Sequence, residues 1–275
     1  MWYNIPVIKK ELKTVNLPCL SMDRVKMSDP SPEYFSKHCH DRYEYIFFVQ
    51  ADCEYVVESK VYRVRSGDSI LIPPGKYHFL RPCNMKKYER AVFSFTPELF
   101  PDPTFIDEVV ELGQFFPSSE YPESNRIAGN FLSECRQMSP RHSALYAAAA
   151  LTEIFLFLIS APRAEKPAEG DDLCSKAVNY IAEHLSEIRS TDDIAKGLYS
   201  SRSALQHSFR KNMDIPVMQY VRIKRLFAVR QYLTSGLTLT AASEKAGYDD
   251  YTTFYRAYKA HFGYPPTKEK KAVKR

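Results

Sequence analysis

Three histidines and a glutamate in the first eighty residues have the types and spacing of a ligand set. His38, His40 and Glu44 are all even-numbered, so on one extended strand their side chains would point to the same face. His78 follows a turn two strands later. Three imidazoles and a carboxylate that converge can hold Fe, Mn, Ni, Zn or Cu. They can equally orient a small effector, with Tyr43 beside them, or satisfy one another as a buried network. The pattern leaves these three alternatives open.

The elements that must position these residues are short strands. Runs rich in Tyr, Phe, Val and Ile alternate with turn signals such as Ser66-Gly67-Asp68 and Pro73-Pro74-Gly75. Five strands are predicted, over residues 45–49, 54–57, 60–64, 69–72 and 91–95. Closely spaced strands of this kind indicate an antiparallel barrel or sandwich. Side chains available to line its mouth are Tyr43, Ile46, Phe48, Tyr62 and Tyr77.

This segment resembles a cupin. His38-Cys39-His40 with Glu44 is similar to the first cupin motif. The spacing of the second motif is matched by Gly67, Pro73, Gly75 and His78. The resemblance implies a jelly-roll barrel with a binding site in its interior.

The last hundred residues contain one helical pattern twice. A pattern of four apolar residues and a Pro is repeated with an offset of 49 positions. Its first copy is Leu205, Phe209, Met213, Ile215 and Pro216, and its second is Phe254, Tyr258, Phe262, Tyr264 and Pro265. Apolar residues at i, i+4 and i+8 mark one buried face of a helix. A shorter helix with its own start signal precedes each copy, after Ser190 and after Thr240, and Gly247 suits a left-handed turn. Each copy therefore predicts a helix-turn-helix unit.

A third helix, over residues 216–233, joins the two units. Its apolar stripe consists of Val217, Tyr220, Val221, Leu226, Val229 and Leu233. Eighteen helical residues span roughly 27 Å. This length approaches the separation of successive major grooves, about 34 Å. The pattern predicts two recognition helices held apart by a stiff spacer.

From Cys174 to Glu269 the chain resembles the AraC/XylS (arabinose-operon regulator) family of bacterial transcription factors. The most specific part is residues 247–266, Gly-Tyr-Asp-Asp-Tyr-Thr-Thr-Phe-Tyr-Arg-Ala-Tyr-Lys-Ala-His-Phe-Gly-Tyr-Pro-Pro. The first unit departs from the family pattern at two places where glycine is usual, Tyr199 and Asp214. Asp tolerates the left-handed conformation better than most residues.

The resemblance implies which residues meet DNA. Base-reading positions carried over from the family are Ser203, Gln206 and His207 in the first unit and Tyr251, Thr252, Tyr255 and Arg256 in the second. Phosphate contacts are expected from Arg210, Lys211, Arg225 and Lys259. The formal net charge is +5, and its basic surplus lies C-terminal of Asp171. Each basic side chain has the alternative of lying on a solvated helix face.

The predicted domain order is a sensor barrel over residues 1–105, a helical segment over 106–162, a flexible linker over 163–170 and a DNA-binding domain over 171–275. Counted from Ala161, this stretch contains two Pro, four charged residues and a Gly, which is the composition of a linker. The helix over residues 143–160 is apolar on more than one side, which suits a dimer seam through Leu151 and Phe155. The alternative is a helix packed on its own domain.

Composition limits the class of protein. The six cysteines form no C-x-x-C pair and no zinc spacing, which indicates reduced thiols. The first 15 residues contain no signal peptide, and the longest apolar stretch, 145–159, is shorter than a membrane span. We therefore expect a cytoplasmic protein with no membrane partner. No nucleophile with a local base and no Gly-rich phosphate loop is present.

The sequence thus predicts an α+β fold, with an N-terminal antiparallel cupin-like jelly-roll barrel, a helical linker and an all-α double helix-turn-helix domain. The resemblance implies a homodimeric, sequence-specific transcriptional regulator that acts as an activator through RNA polymerase. Its partners would be an operator in double-stranded DNA and a small effector, for which a sugar is the family's commonest case. No cofactor is expected, apart from the divalent metal left open above. The alternative is a metal-dependent cupin enzyme fused to a DNA-binding module.

Overall fold

The fold separates an N-terminal unit of sheets and helices, whose last helix ends at Ser160, from an all-helical C-terminal unit, whose first helix begins at Leu173. The computed structural model describes residues 15–28, 30, 34–35, 37–83, 86–161 and 172–269. The predicted linker over 163–170 lies outside these residues.

The N-terminal unit contains two antiparallel sheets, as the alternating strand pattern predicted. One has the strand order β1-β2-β8-β3-β6-β9 and the other β5-β4-β7. The strands are β1 (Val15–Leu17), β2 (Leu20–Ser28), β3 (Tyr43–Gln50), β4 (Asp52–Val57), β5 (Lys60–Arg65), β6 (Ser69–Ile72), β7 (His78–Pro82), β8 (Lys87–Phe95) and β9 (Phe115–Phe116). All five predicted strands are present. Strands β1, β2, β7 and β9 were not predicted, because their residues lack a clean apolar alternation.

The larger sheet is buried on both faces along β3 and β8. Even-numbered residues such as Ile46 and Phe48 belong to a core between the sheets. Odd-numbered residues such as Tyr45 and Phe47 belong to a second core. Successive side chains of a strand point to opposite faces, so each strand contributes to both cores.

Three helices cover the outer face of this sheet. They are α1 (Phe105–Leu112), α2 (Pro122–Glu134) and α3 (Pro140–Ser160). The ring of Phe155 in α3 lies 5.6 Å from the ring of Tyr45 in β3, edge to face. Leu151 and Phe155 are fully buried in the shared core. The prediction that these two residues form a dimer seam is therefore wrong, because the sheet of their own domain covers them.

Helix α3 is 21 residues long and, by length and composition alone, apolar enough to cross a membrane. No membrane span was expected from the sequence because the apolar stretch 145–159 is too short, but the helix that contains this stretch is longer. One side of α3, including Ala144, Ala147 and Ile154, is buried in the domain core. This packing is that of the core helix of a globular domain.

The C-terminal unit consists of six helices within the described residues. They are α4 (Leu173–Glu183), α5 (Thr191–Gly197), α6 (Arg202–Met213), α7 (Val217–Thr234), α8 (Leu239–Lys245) and α9 (Tyr251–Phe262). The two predicted helix-turn-helix units are α5–α6 and α8–α9, and α7 is the 18-residue spacer between them. Leu205, Phe209, Phe254 and Tyr258 are fully buried, which confirms the apolar repeat.

Side-chain caps fix where these helices begin. Ser190 forms a capping box with Asp193 at α5, as the sequence indicated. Ser201 caps α6 and Asp250 caps α9. At α8 the prediction is wrong by half a turn, because Thr238 rather than Thr240 accepts the N–H of Ala241.

The backbone turns of the two units match although their residues differ. Gly247 and Gly263 have φ of +94° and +78°, and the corresponding Tyr199 and Asp214 have φ of +51° and +57°. The first unit thus keeps the left-handed turns without glycine. For a non-glycine residue this conformation costs about 1–2 kcal/mol.

Gly247 is required for a second reason, which gives a test of the fold. A Cβ at this position would lie 2.7 Å from the backbone of Ser186 and 2.8 Å from the Arg225 guanidinium. We expect Gly247→Ala to lower the free energy of unfolding by about 3 kcal/mol, through combined strain and overlap. Loss of helical circular dichroism on heating measures this change.

Gly236→Ala is the matched control for Gly247→Ala. Gly236 has a similar φ of +93°, but an added Cβ would meet nothing within 4 Å. This variant should lose only about 1 kcal/mol, the cost of the left-handed conformation. Equal losses in the two variants would contradict the close approach at Gly247.

Candidate functional site

The three histidines and Glu44 meet in the N-terminal unit, but not on one strand. Strand β3 begins at Tyr43, so His38 and His40 lie in the segment before it. The backbones of His38 and His78 form an isolated antiparallel bridge, with N···O distances of 3.2 and 2.9 Å. The Gly75 N–H donates to the carbonyl of His40 at 2.7 Å. These bonds bring both histidine segments over the end of β3, where Glu44 faces inward.

Hydrogen bonds orient two of the imidazoles. His40 Nδ1 lies 2.7 Å from the carbonyl oxygen of Arg42, and His78 Nδ1 lies 2.9 Å from that of Lys76. A carbonyl only accepts, so each Nδ1 carries the proton. In a neutral ring Nε2 is then an acceptor. His78 keeps such an Nε2 lone pair for a bound metal or a ligand hydroxyl, and His40 would offer one when it is not protonated against Glu44.

Glu44 supplies the negative charge of this cluster. Its Oε2 lies 3.2 Å from Nε2 of His40 and 3.7 Å from Nε2 of His78. Burial favours the neutral acid, but the neighbouring imidazoles outweigh it and hold the pKa of Glu44 well below its usual range. Burial likewise opposes protonation of His40, yet Glu44 raises its pKa above that of a free histidine. Burial and the other two imidazoles lower the pKa of His78, which stays neutral.

The cluster has the donor set of a divalent metal site. One nitrogen from each of His38, His40 and His78 lies within 4.8 Å of the others. Burial of the site increases from exposed His38 to fully buried His78. The arrangement therefore has an accessible side and a closed side, as a small-ligand site also requires.

Aromatic residues continue the site into the interior of the barrel. The ring of Tyr55 stacks at 6.2 Å on His78, and its edge meets Phe48. Beyond Tyr55 lies Tyr88, with the guanidinium of Arg90 at 5.9 Å from its ring centroid. Tyr55, Tyr88 and Arg90 were not among the site residues predicted from the sequence.

The second candidate site is the exposed face of the two recognition helices. On α6, Ser203, Gln206, His207 and Arg210 are exposed at spacings of three and four residues, which places them on one side. Lys211 is exposed beside them. On α9 the equivalent face carries exposed Tyr251, Thr252, Arg256 and Lys259, with half-buried Tyr255. Ten of the eleven predicted DNA-contacting residues thus lie on these two faces.

Arg225 is the exception, because its guanidinium holds the C-terminal unit together. Its Nε and Nη2 donate to the carbonyl of Leu185 at 3.0 and 2.9 Å, and Nη2 also donates to Ile188. Burial lowers the pKa of Arg225, which accords with this internal position. The expectation that Arg225 contacts phosphate is wrong in its geometry: the side chain bonds the loop after α4 to α7.

Comparison with known proteins matches each unit to a domain model. Residues 28–155 match the model of the AraC-like ligand binding domain, and residues 194–272 match that of a helix-turn-helix domain. The chain belongs to the AraC family. The two matches occur in the order that the sequence predicted, and together they include both candidate sites.

Similar proteins are regulators of operons and of transcription. The Msm operon regulatory protein of Streptococcus mutans is 37% identical over 87 residues, which cover 30% of this AraC-family chain and 30% of that protein. The HTH-type transcriptional activator AarP of Providencia stuartii is 28% identical over 96 residues, or 34% of this chain and 71% of AarP. The chain thus spans under a third of the length of the first relative.

Among solved structures, ToxT from Vibrio cholerae aligns with 93% of this chain, and the alignment covers 97% of ToxT. The sequence identity is 10% and the TM-score 0.40. A likeness at this level carries no argument about the sites.

Two of the side chains predicted to line the barrel mouth point elsewhere. Tyr43 stacks on Phe95 with ring centroids 5.6 Å apart, in the core beneath the helices. It neighbours Glu44 in β3, so its side chain must leave the opposite face, and the effector-binding prediction for Tyr43 is wrong. Tyr77 packs on Phe79 at 5.9 Å rather than with His78. Ile46, Phe48 and Tyr62 do contribute to the core between the sheets.

The recognition faces give a prediction about DNA. Arg256 can contact guanine through two hydrogen bonds, whereas Lys259, one turn later, is placed for phosphate. We expect Arg256→Ala to cost about 1–3 kcal/mol of binding and to relax preference at one operator position. Lys259→Ala should weaken all sequences alike and lower the salt slope by about one unit. Titrations of operator variants at several salt concentrations measure both effects.

Ser208→Ala is a suitable control on the other recognition helix, because Ser208 is half-buried on α6 beside the core residue Phe209. It should bind every operator variant as the wild type does. Sequence-blind losses for both Arg256→Ala and Tyr255→Ala would show that bases are read by another face.

Proposed function

We propose that this AraC-family protein is a sequence-specific transcriptional regulator whose N-terminal barrel binds a small-molecule effector. The observation that carries the proposal is the pair of exposed polar faces on α6 and α9, held at the two ends of α7. Effector binding that favours one arrangement of the protein must shift the population competent for DNA by the same free energy.

The finer assignments follow from the relatives. AarP is named a transcriptional activator, and activation through contact with RNA polymerase is the role we propose here. The protein acts in the cytoplasm, where its operator is, and its six free cysteines suit that compartment. We propose that it is not an enzyme, since the relatives with assigned roles are regulators.

Dimerisation is proposed through the uncovered side of α3. Leu145 and Leu156 are 57% and 51% exposed, and Ala149 and Thr152 lie between them at helical spacing. Positions i, i+4, i+7 and i+11 form one stripe, which is the spacing of a helix–helix seam. A second copy of the chain would bury these leucines in a self-complementary contact.

A divalent metal in the barrel is the second candidate for the histidine cluster. His40 and His78 direct their Nε2 atoms inward, and His38 and Glu44 would complete the set. A metal held there would provide a Lewis-acidic contact for oxygen atoms of an effector. The metal-free alternative uses the same lone pairs as acceptors for effector hydroxyls, as a sugar would offer.

Mapping of bound DNA across the genome, followed by a reporter driven by the strongest site, tests the function. We expect discrete bound sites, and a reporter response to compounds handled by the adjacent genes. His40→Ala and Glu44→Gln should keep the bound sites but lose the response, because they lie outside the DNA-binding unit. Glu111→Gln, on the exposed side of α1, is the control and should respond normally. Absence of discrete sites would overturn the proposed function.

Elemental analysis of the same purified variants separates the two uses of the cluster. Stoichiometric metal in the wild type, lost in His40→Ala and His78→Ala, would establish the metal site. Loss of the reporter response without any metal in the wild type would establish direct effector contacts. If the variants unfold at a lower temperature but keep a normal reporter response, the cluster is a structural network and neither functional use of it holds.

The dimer prediction uses the exposed stripe of α3. Leu145→Glu with Leu156→Glu should yield a folded monomer, because the charges would be buried only in the dimer. Leu151→Glu is the informative contrast, since Leu151 lies in the domain core and its replacement should unfold the N-terminal unit. Light scattering at tens of micromolar measures the mass. A wild type that is monomeric at this concentration would contradict the seam.

A further inference from the structure

Arg90 is a cationic side chain on the inner face of the larger sheet. In β8 it lies between Tyr88 and Val92, which both contribute to the core between the sheets. Its partners across the strands are Phe48 of β3 and Val25 of β2, from the same core. Arginine is seldom placed in such surroundings unless an anion or a carboxylate accompanies it.

No carboxylate pairs with Arg90 in the part of the chain that the structure describes. Its Nε is buried without a hydrogen-bond acceptor among those residues. Glu44 acts on Arg90 only at longer range, and it is already engaged by His40 and His78. Other arginines of the same unit are paired: Arg24 with Glu89, and Arg81 with Glu54.

Tyr88 is a neutral hydrogen-bonding and aromatic partner of Arg90, and it does not compensate the charge. The guanidinium carbon lies 5.9 Å from the ring centroid, at the outer limit of a cation–π interaction. The desolvation cost of a buried ion exceeds such a contact several-fold. Among the described residues, the Arg90 guanidinium therefore has no paired carboxylate to balance its charge.

From this geometry we propose that Arg90 binds a compact oxyanion of the effector, a carboxylate or a phosphate monoester, inside the barrel. A planar guanidinium matches either group through two parallel hydrogen bonds. The edge-to-face pair of Tyr88 and Phe35, 5.3 Å apart, supplies an aromatic wall beside that group. The effector is then a small organic acid or a phosphorylated compound rather than a neutral sugar. The inference rests on the proposed effector-binding role of the barrel.

The test uses the full chain, with sodium benzoate, inorganic phosphate and neutral benzamide as probes. Chelator in the buffer excludes binding through a metal. We expect millimolar benzoate or phosphate to raise the unfolding temperature of the wild type, and benzamide to leave it unchanged. Arg90→Met should lose this shift, with affinity reduced about tenfold to a hundredfold, and Arg90→Lys should retain part of it. Calorimetric titration gives the affinities, and a preference for benzoate or for phosphate identifies the oxyanion.

A second readout separates binding from a structural role. Without anion, Arg90→Met should unfold at the same temperature as the wild type or higher, because it removes a half-buried charge that no carboxylate pairs with among the described residues. Arg81→Met is the control: it also removes an arginine stacked on a ring, but one paired with Glu54. It should keep the oxyanion shift. A lower unfolding temperature in Arg90→Met, with unchanged anion binding, would overturn the proposal, as would equal shifts with benzamide.

Failure of this inference is distinguishable from failure of the proposed function. Arg90 lies outside the recognition helices, so Arg90→Met should bind the mapped DNA sites as the wild type does in the absence of anion. Absence of specific DNA binding by the wild type would refute the proposed function as a regulator. An unshifted unfolding temperature with all probes, with specific DNA binding intact, would refute only the oxyanion site.

Discussion

The N-terminal unit depends on one constraint, the burial of its larger sheet on both faces. Along β3, Glu44, Ile46 and Phe48 must face the second sheet, while Tyr45 and Phe47 must face the helices. A shift of register by one residue would exchange these sets and bury Glu44 beneath α3. The apolar residues on both faces therefore fix where the charged group lies. Backbone hydrogen bonds then fix the positions of the two histidine segments, because the His38–His78 bridge forms only when β7 keeps its present register with β4.

How much of this could be predicted from the sequence is clearest at the histidine cluster. Even numbering grouped His38, His40 and Glu44 on one strand, but the first two lie in an irregular segment, and backbone bonds to His78 and Gly75 rather than strand parity position them. The same parity rule, applied strictly, would have excluded Tyr43. Arg90 could not be found in this way, since its significance depends on the absence of a carboxylate partner across neighbouring strands. Such a pairing is a tertiary property, and no local spacing encodes it.

The helical unit was more predictable because its information is local. Apolar repeats, caps and turn residues lie within a few positions of the elements they determine. Arg225 was misassigned since its partners, the carbonyls of Leu185 and Ile188, are some forty residues away in the chain. The same loop explains Gly247, whose missing Cβ leaves room for Ser186. At Tyr199 and Asp214 the backbone keeps a costly left-handed turn without glycine, so packing of the two helices outweighs local preference.

Helix α3 shows why composition alone cannot separate a core helix, a membrane span and a dimer seam. All three require an apolar segment of this length, and only contacts distinguish them. Here the buried side meets β3 through Phe155 and Tyr45, while Leu145 and Leu156 remain outside. Tyr45 neighbours Glu44 in the chain, so the inner and outer faces of β3 are one residue apart. A close-packed core has little free volume, so it transmits a displacement of one side chain to its neighbours. A displacement of the β3 backbone at Glu44 would therefore also displace Tyr45, on which Phe155 of α3 packs.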